Sequence, residues 1–236
     1  MKISREGAAK TRQSLLTTAG EIFGEKGYRE TTIAEICRRA GTNIAAVNYH
    51  FGSKQALYIE AWRHAFSESI QTYPPSGGVS GDAPPEERLR GQVRAILRRI
   101  TDRNNREFLF MQREMANPTG LLEEVLREEI SPLQQRTEAL VRELLGVMIP
   151  EQEAKFCELS IISQCMNPVV AGRGLGGKTG GRNGPLDIED LEAYADHVVN
   201  FSLAGIRAVR KAWEERNRSK KAGRPSVSLK DGSRRP

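Results

Sequence analysis

Residues 32–54 read TIAEICRRAGTNIAAVNYHFGSK, and this stretch decides the fold. Its pattern is two short helices around a tight turn. The Thr32 hydroxyl can cap the first helix, with Glu35 reaching back from the third helical position. Ile33, Ile36, Cys37 and Ala40 recur at helical spacing and form its inward face. Gly41 ends it, because glycine tolerates the left-handed backbone of a helix exit. Asn43 can cap the second helix. There Ile44 and Val47 face inward, and Phe51 closes the core just past the end. Ala45, Ala46, Asn48 and Tyr49 are left pointing outward, with His50 beside them.

A helix turned to bulk water normally carries Lys, Glu or Gln. This one carries two alanines, an amide and a phenol. Small side chains let a helix lie close to a groove, Asn can make two hydrogen bonds to an adenine edge, and Ala can touch a thymine methyl. The arrangement is a helix-turn-helix with its second helix as reader.

The wider stretch TRQSLLTTAGEIFGEKGYRETTIAEICRRAGTNIAAVNYHFGSKQALY resembles the N-terminal DNA-binding domain of the TetR family of transcriptional repressors. The features that carry the resemblance are F-x-x-K-G-Y, then T-T-I, then A-G, then Y-H-F-x-S-K-x-x-L. Two positions depart from the family pattern. Val47-Asn48 stands where the family usually has Leu-Tyr, so the tyrosine comes one place later, at Tyr49, and base preference cannot be carried over. Cys37 replaces a small alanine, which reads as a packing variant.

At 236 residues the chain can hold one large or two modest domains. No apolar run approaches the roughly 20 residues that span a bilayer. The opening MKISREGAAKTRQ lacks the apolar core of a signal peptide, so a cytoplasmic protein is expected. Cys37, Cys157 and Cys165 are odd in number and fit no C-x-x-C metal spacing; three reduced thiols are expected. The net charge is +6. Its distribution matters more. From Arg216 onward eight basic residues face Asp231 alone, so the tail outweighs the whole net charge. Overall basicity is therefore weak evidence for DNA binding, and the helix-turn-helix has to carry the inference.

Along the chain, Lys2, Arg5, Lys10 and Arg12 read as a basic arm suited to a phosphate rail. Leu15, Leu16, Ala19, Ile22 and Phe23 form an amphipathic helix that ends at Gly27. Ser53 caps a fourth helix running to about Tyr73, with Lys54 in its first turn beside backbone N–H groups that suit a phosphate. Residues 74–85, PPSGGVSGDAPP, form a Pro/Gly/Ser break, where the composition alone would set a domain boundary. Helices are expected at 86–102, 106–116, 121–145 with a kink or restart at Pro132, 151–166, and from a cap at Asp187 to about 215. Ser202, Ala204, Gly205 and Ala208 would let another helix approach closely. The resemblance implies that the last two long helices form a four-helix homodimer interface. The expected organisation is an all-α chain: a three-helix DNA-binding unit at 1–52, a larger helical effector-binding and dimerisation domain at 53–215, and a basic disordered tail at 216–236.

The segment FMQREMANPTGLLEEVLREEISPL resembles the R-E-x-x-x-P-T region of one TetR branch, the CecR or CerR (YbiH-like) type. That resemblance implies a small, largely apolar effector and control of a transport or efflux gene. Phe108, Met111, Gln112 and Met115, with Cys165 and Met166 opposite, are the candidate pocket walls. Arg113 and Glu114 read as a structural charge pair.

Two motifs mislead. Residues 172–179, GRGLGGKT, satisfy the phosphate-loop spacing, but neither the preceding strand nor the following helix is in the sequence. A mobile basic loop, with a lid role over the pocket, is the alternative. Ala222-Gly223-Arg224-Pro225 resembles the core of an AT-hook without its leading arginine. No nucleophile–base pair or metal spacing is evident, so neither enzyme activity nor a cofactor is expected. The expected function is a homodimeric repressor that binds a palindromic operator in double-stranded DNA and is released by a small molecule. Thr32, Asn43, His50 and Lys54 would hold phosphates, while Ala45, Ala46, Asn48 and Tyr49 face bases. The alternative is a constitutive DNA-binding dimer without an effector.

Overall fold

The computed structural model describes residues 5–102, 104–146, 149–173, 188 and 190–222. Among them lie nine helices and no strand: α1 (Arg5–Lys26), α2 (Ile33–Arg39), α3 (Ile44–Phe51), α4 (Lys54–Thr72), α5 (Pro85–Thr101), α6 (Arg106–Ala116), α7 (Glu123–Leu145), α8 (Glu151–Arg173) and α9 (Leu191–Ala222). The all-α reading holds. Local chemistry sets most boundaries. Thr32, Asn43 and Ser53 each accept a hydrogen bond from the backbone N–H three residues on, which starts α2, α3 and α4. Pro85 opens α5, where its missing N–H costs nothing and its fixed φ suits a first turn.

Several expected boundaries shift. The basic arm is helix from Arg5, and Arg12 pairs with Glu60 at 3.0 Å and stacks over Phe51. Lys2 falls outside the described residues. α7 runs through Pro132 without a restart. α8 does not stop at Asn167-Pro168 but continues to Arg173. The cap of α9 is Asp190, whose Oδ1 accepts from the Ala193 N–H at 2.9 Å; Asp187 is not among the described residues. α9 continues into the expected tail as far as Ala222. The remainder of that tail, the AT-hook-like segment from Gly223 on, and residues 174–187 of the glycine-rich stretch with its lid role lie outside the described residues.

Two hydrophobic cores organise the described residues. The first joins α1 to α4 and takes in Phe110 of α6 and Leu122 and Val125 at the start of α7. The second joins α5, α7, α8 and α9 through Leu89, Val93, Leu97, Val141, Ile161, Cys165 and Val198. The first core extends beyond residue 52: α4 contributes Leu57, Tyr58, Ala61 and Trp62 to it. Phe108 of the same α6 packs on the second core. α6 thus belongs to both.

Candidate nucleic-acid interface

The helix-turn-helix is built as its sequence implies, with corrections that change the reading face. Gly41 makes the turn at φ +65°, a backbone region that favours glycine. The Thr42 N–H closes onto the Cys37 carbonyl at 2.9 Å. The capping box is half formed: Thr32 Oγ1 accepts from the Glu35 N–H at 3.2 Å, but the Glu35 carboxylate turns to Lys26 instead of the cap. Ion pairing across to α1 wins over the local back-bond. Val47 is fully buried and anchors α3, and Phe51, the last residue of α3, packs half-buried beside it.

Ala45, Asn48 and Tyr49 are exposed as expected, Tyr49 at 78%. Ile44 and Ala46 exchange places relative to the sequence reading. Ile44 is 52% exposed, and Ala46 packs half-buried against the core. Angle from Val47 does not decide this, since Ile44 lies about 60° and Ala46 about 100° away from it on a 3.6-residue helix. What differs is the neighbour on each side: the first core packs against Ala46 and not against Ile44, and positions 44, 48, 45 and 49 follow one another around the uncovered side. The open face is therefore Ile44, Ala45, Asn48 and Tyr49. Sequence reasoning missed Ile44 because it counted hydrophobicity as burial, although its one-turn spacing from Asn48 was available. His50 is half-buried, its ring edge-on to Tyr49 with centroids 4.9 Å apart.

The phosphate candidates are positioned differently from one another. Asn43 Oδ1 accepts from the Ala46 N–H at 3.0 Å, so its carbonyl oxygen is committed while its amide NH2 stays available. The Thr32 oxygen accepts the Glu35 N–H, which leaves its hydroxyl proton free to donate. Lys54 is half-buried with Nζ 4.2 Å from the centre of the Tyr28 ring, and burial holds its pKa below the usual lysine value. Three other cations of the unit are spent on internal pairs: Arg12 on Glu60, Lys26 on Glu35, and Arg39, which forks onto Glu25 and reaches Glu21. Its neighbour Arg38 is exposed and has no ion-pair partner among the described residues, which only a map of pairs could reveal.

The unit is fastened to the rest of the chain by α6. The Arg113 and Glu114 side chains do not pair with each other. Arg113 Nε donates to the Gly24 carbonyl of α1 at 3.2 Å. Glu114 is buried and accepts from the Tyr58 hydroxyl at 2.6 Å and from the Thr119 N–H and hydroxyl at 2.8 Å each. Burial and the adjacent carboxylate push the Tyr58 phenol pKa well up, so it stays a donor. This explains R-E-x-x-x-P-T: the arginine ties α1, and the glutamate ties α4 to the turn that carries the threonine. α1 and α6 pack closely, since a Cβ on Gly24 would lie 3.3 Å from the Leu109 Cβ.

The six expected pocket residues do not converge. Phe108, Cys165 and Met166 belong to the second core, whereas Met111 packs on the first. Met115 is 71% exposed. Phe108 and Met111 lie one turn apart on α6, so that turn spans the change from the second core to the first. Gln112 is half-buried. The three cysteines are free thiols, and no group of residues able to hold a metal is found among the described residues. No helix among them is long and apolar enough to cross a membrane.

Comparison with known proteins agrees with this geometry. Residues 15–61 match the model of bacterial regulatory proteins of the tetR family. Residues 85–206 match the C-terminal domain of the HTH-type transcriptional dual regulator CecR. The chain belongs to the TetR family. It is a TetR-family transcriptional regulator with a CecR-type C-terminal domain, a DNA-binding protein rather than an enzyme. The HTH-type transcriptional dual regulator CecR of Shigella flexneri is 32% identical over 162 residues, 62% of this chain and 68% of that one. A TetR-family regulator structure from Mesorhizobium loti superposes with a TM-score of 0.63 at 20% identity, covering 84% of this chain and 96% of that one. AibR, solved with isovaleryl coenzyme A and operator DNA, superposes at 0.59 and 17% identity, covering 81% and 97%. At these identities the two structures establish the TetR fold alone.

Proposed function

We propose that this TetR-family regulator is a homodimeric repressor that binds a palindromic operator and releases it when a small molecule occupies the C-terminal domain. The observation that carries the reading is the open face of α3. Ile44, Ala45, Asn48 and Tyr49 form an uncharged, close-approaching surface on a helix whose N-terminus is capped by Asn43. Asn48 offers the two-bond match to adenine, and Ile44 and Ala45 offer contact with thymine methyls. Thr32, Asn43, His50 and Lys54 flank that face as phosphate contacts. Asn48→Ala is expected to cost about 1–3 kcal/mol at one base position and to relax preference there. Selection of bound genomic fragments followed by gel-shift titration reads this; uniform weakening over all sequences would remove Asn48 from the base readers.

The dimer reading rests on the faces that α8 and α9 leave open. Phe156 and Leu159 on α8 and Phe201 on α9 are 54%, 64% and 61% exposed. Ala204, Gly205 and Ala208 continue the α9 face, and a Cβ on Gly205 would meet nothing within 4 Å. Ser202, grouped with them from sequence, is buried within the subunit instead. Two such faces related by a two-fold axis would place two readers on successive major grooves. Sedimentation of the full chain tests this, and Phe201→Glu is expected to yield monomers. Control of a transport or efflux gene follows from the resemblance of the C-terminal half to the CecR type and is tested by the genes adjoining the selected fragments.

A further inference from the structure

Residues 74–85 read as a Pro/Gly/Ser break by composition, yet 74–84 are a built wall. Gly77 N–H bonds to the Pro74 carbonyl, Val79 N–H to Ser76, and Ala83 N–H to Ser80. The wall lies backbone-to-backbone on α5: a Cβ at Gly77 would fall 2.2 Å from the Gly91 carbonyl oxygen, and one at Gly91 would fall 2.4 Å from that of Ser76. Between wall, α5 and α7 lies a cleft of about 300 Å³. Val79 and Leu140 supply apolar surface, and Arg88, Arg136 and Glu143 supply charge.

Gln92 stands at the floor of this cleft and also lines a smaller cavity of about 40 Å³ beyond it. Only 5% of Gln92 is exposed, and its Oε1 has no hydrogen-bond partner. The amide orientation follows from its neighbours. The single Thr137 hydroxyl proton is spent on the Leu133 carbonyl at 3.1 Å, so Thr137 accepts from Gln92 Nε2 at 3.4 Å. The carbonyl oxygen is covered and left without a donor. A buried acceptor without a donor is unfavourable and rare, and it calls for a partner that carries an N–H or O–H. At the rim, Arg88 is neutralised by Glu143 and tied to the Ala83 carbonyl at 3.0 Å. Arg136 is exposed and has no ion-pair partner among the described residues, so the cleft keeps one uncompensated positive charge.

We infer that this cleft is the effector site, and that it takes a compact organic anion bearing a hydroxyl or N–H: the donor on Gln92 Oε1, the anionic group on Arg136, and an apolar middle against Val79 and Leu140. The inference rests on the effector-release reading above but replaces its largely apolar ligand with a small hydroxy or amino acid. The volume is at the lower end of the range for ligand pockets, which suits a molecule of about ten heavy atoms.

The test uses the full-length protein and three probes: 4-hydroxybenzoate, benzoate without the donor, and 4-hydroxybenzyl alcohol without the anion. Calorimetric titration is expected to show 4-hydroxybenzoate binding about tenfold or more tightly than either control. Gln92→Met should abolish the preference over benzoate, and Arg136→Gln the preference over the alcohol. Thermal melts guard against misfolding: Gln92→Met removes an unpaired carbonyl and should melt no lower than the parent, and Arg136 is on the surface. No binding of the hydroxy acid at millimolar concentration, or equal binding by parent and both variants, overturns the site. Operator gel shifts with the same probes separate the two layers. Gln92-dependent binding that leaves operator affinity unchanged keeps the site and overturns its role in release.

Discussion

The two cores of this chain are made of different materials. The first is knit from aromatic rings: Phe23, Tyr28, Tyr58 and Phe110 meet at centroid separations of 4.6–6.2 Å, several of them edge-on, and Trp62 stacks on Phe66 nearby. The second is aliphatic, built from Leu, Val, Ile and Ala with one buried thiol, and α5 and α7 hold clefts along their shared edge. Rings have few rotamers and directional contacts, whereas aliphatic chains repack at low cost. Under the proposed function, the difference suits a molecule that holds its reading helix rigid while its other half accommodates a guest. It also assigns α6 a role as the part where rigid and adaptable halves meet.

The largest expected effect breaks that link directly. Phe110→Ala removes a fully buried ring from the aromatic cluster and is expected to cost about 3–5 kcal/mol in denaturant unfolding. Hydrogen exchange should then quicken in α1 and α4 along with α6. Exchange confined to α6 would show that the reading unit does not depend on it.

A smaller effect is expected at the polar end of the same contact. Glu114→Ala leaves the Tyr58 hydroxyl and the Thr119 N–H without their acceptor, a loss of about 1–3 kcal/mol. Glu114→Gln keeps an oxygen and should recover part of it. A stability change without any shift in operator affinity would reduce this contact to scaffolding.

The aliphatic core offers a pH probe. Burial pushes the Cys165 thiol up to about 12, and the side chain is fully covered. The folded form therefore holds its proton where the unfolded chain has lost it. The stability from this group is complete below the ordinary thiol pKa and declines as pH rises from there toward the folded value. Iodoacetamide at mildly alkaline pH should modify Cys157, which is half-buried, before Cys165. Early alkylation of Cys165 would show that the second core opens more readily than its packing implies.

How much of this was legible in the sequence follows the same division. The reading unit is dominated by local rules, so caps at Thr32, Asn43 and Ser53 and the glycine turn could be placed from residue type alone. Ile44 and Ala46 were interchanged because a helix of eight residues gives too few turns for hydrophobicity to fix its phase. The second half depends on contacts between distant residues. Arg113 and Glu114 are adjacent in sequence yet reach α1 and α4 separately, and no spacing rule separates that from a local pair. Residues 74–85 read as a break because composition reports turn propensity and not the fit of Gly77 on Gly91. Phe108 and Met111 share a helix but not a core, and only the packing of α6 between the two could reveal it.

The smallest effect sets the same covalent change in the two halves side by side. Asn43 and Asp190 cap α3 and α9 through identical geometry, a side-chain oxygen on the N–H three residues ahead at 3.0 and 2.9 Å. Replacing either with alanine should cost about 1 kcal/mol of stability, since the lost bond is the same in kind. Their functional consequences should part. Asn43→Ala frays the first turn of the reader, where Ile44 and Ala45 lie, and removes an amide available to a phosphate, so operator affinity should fall together with stability. Asp190→Ala loosens only the entry to α9, and operator affinity should stay at the parent value while the melting temperature drops. Equal loss of operator affinity in both variants would mean that the first core does not insulate the reader, and that loosening either half reaches α3.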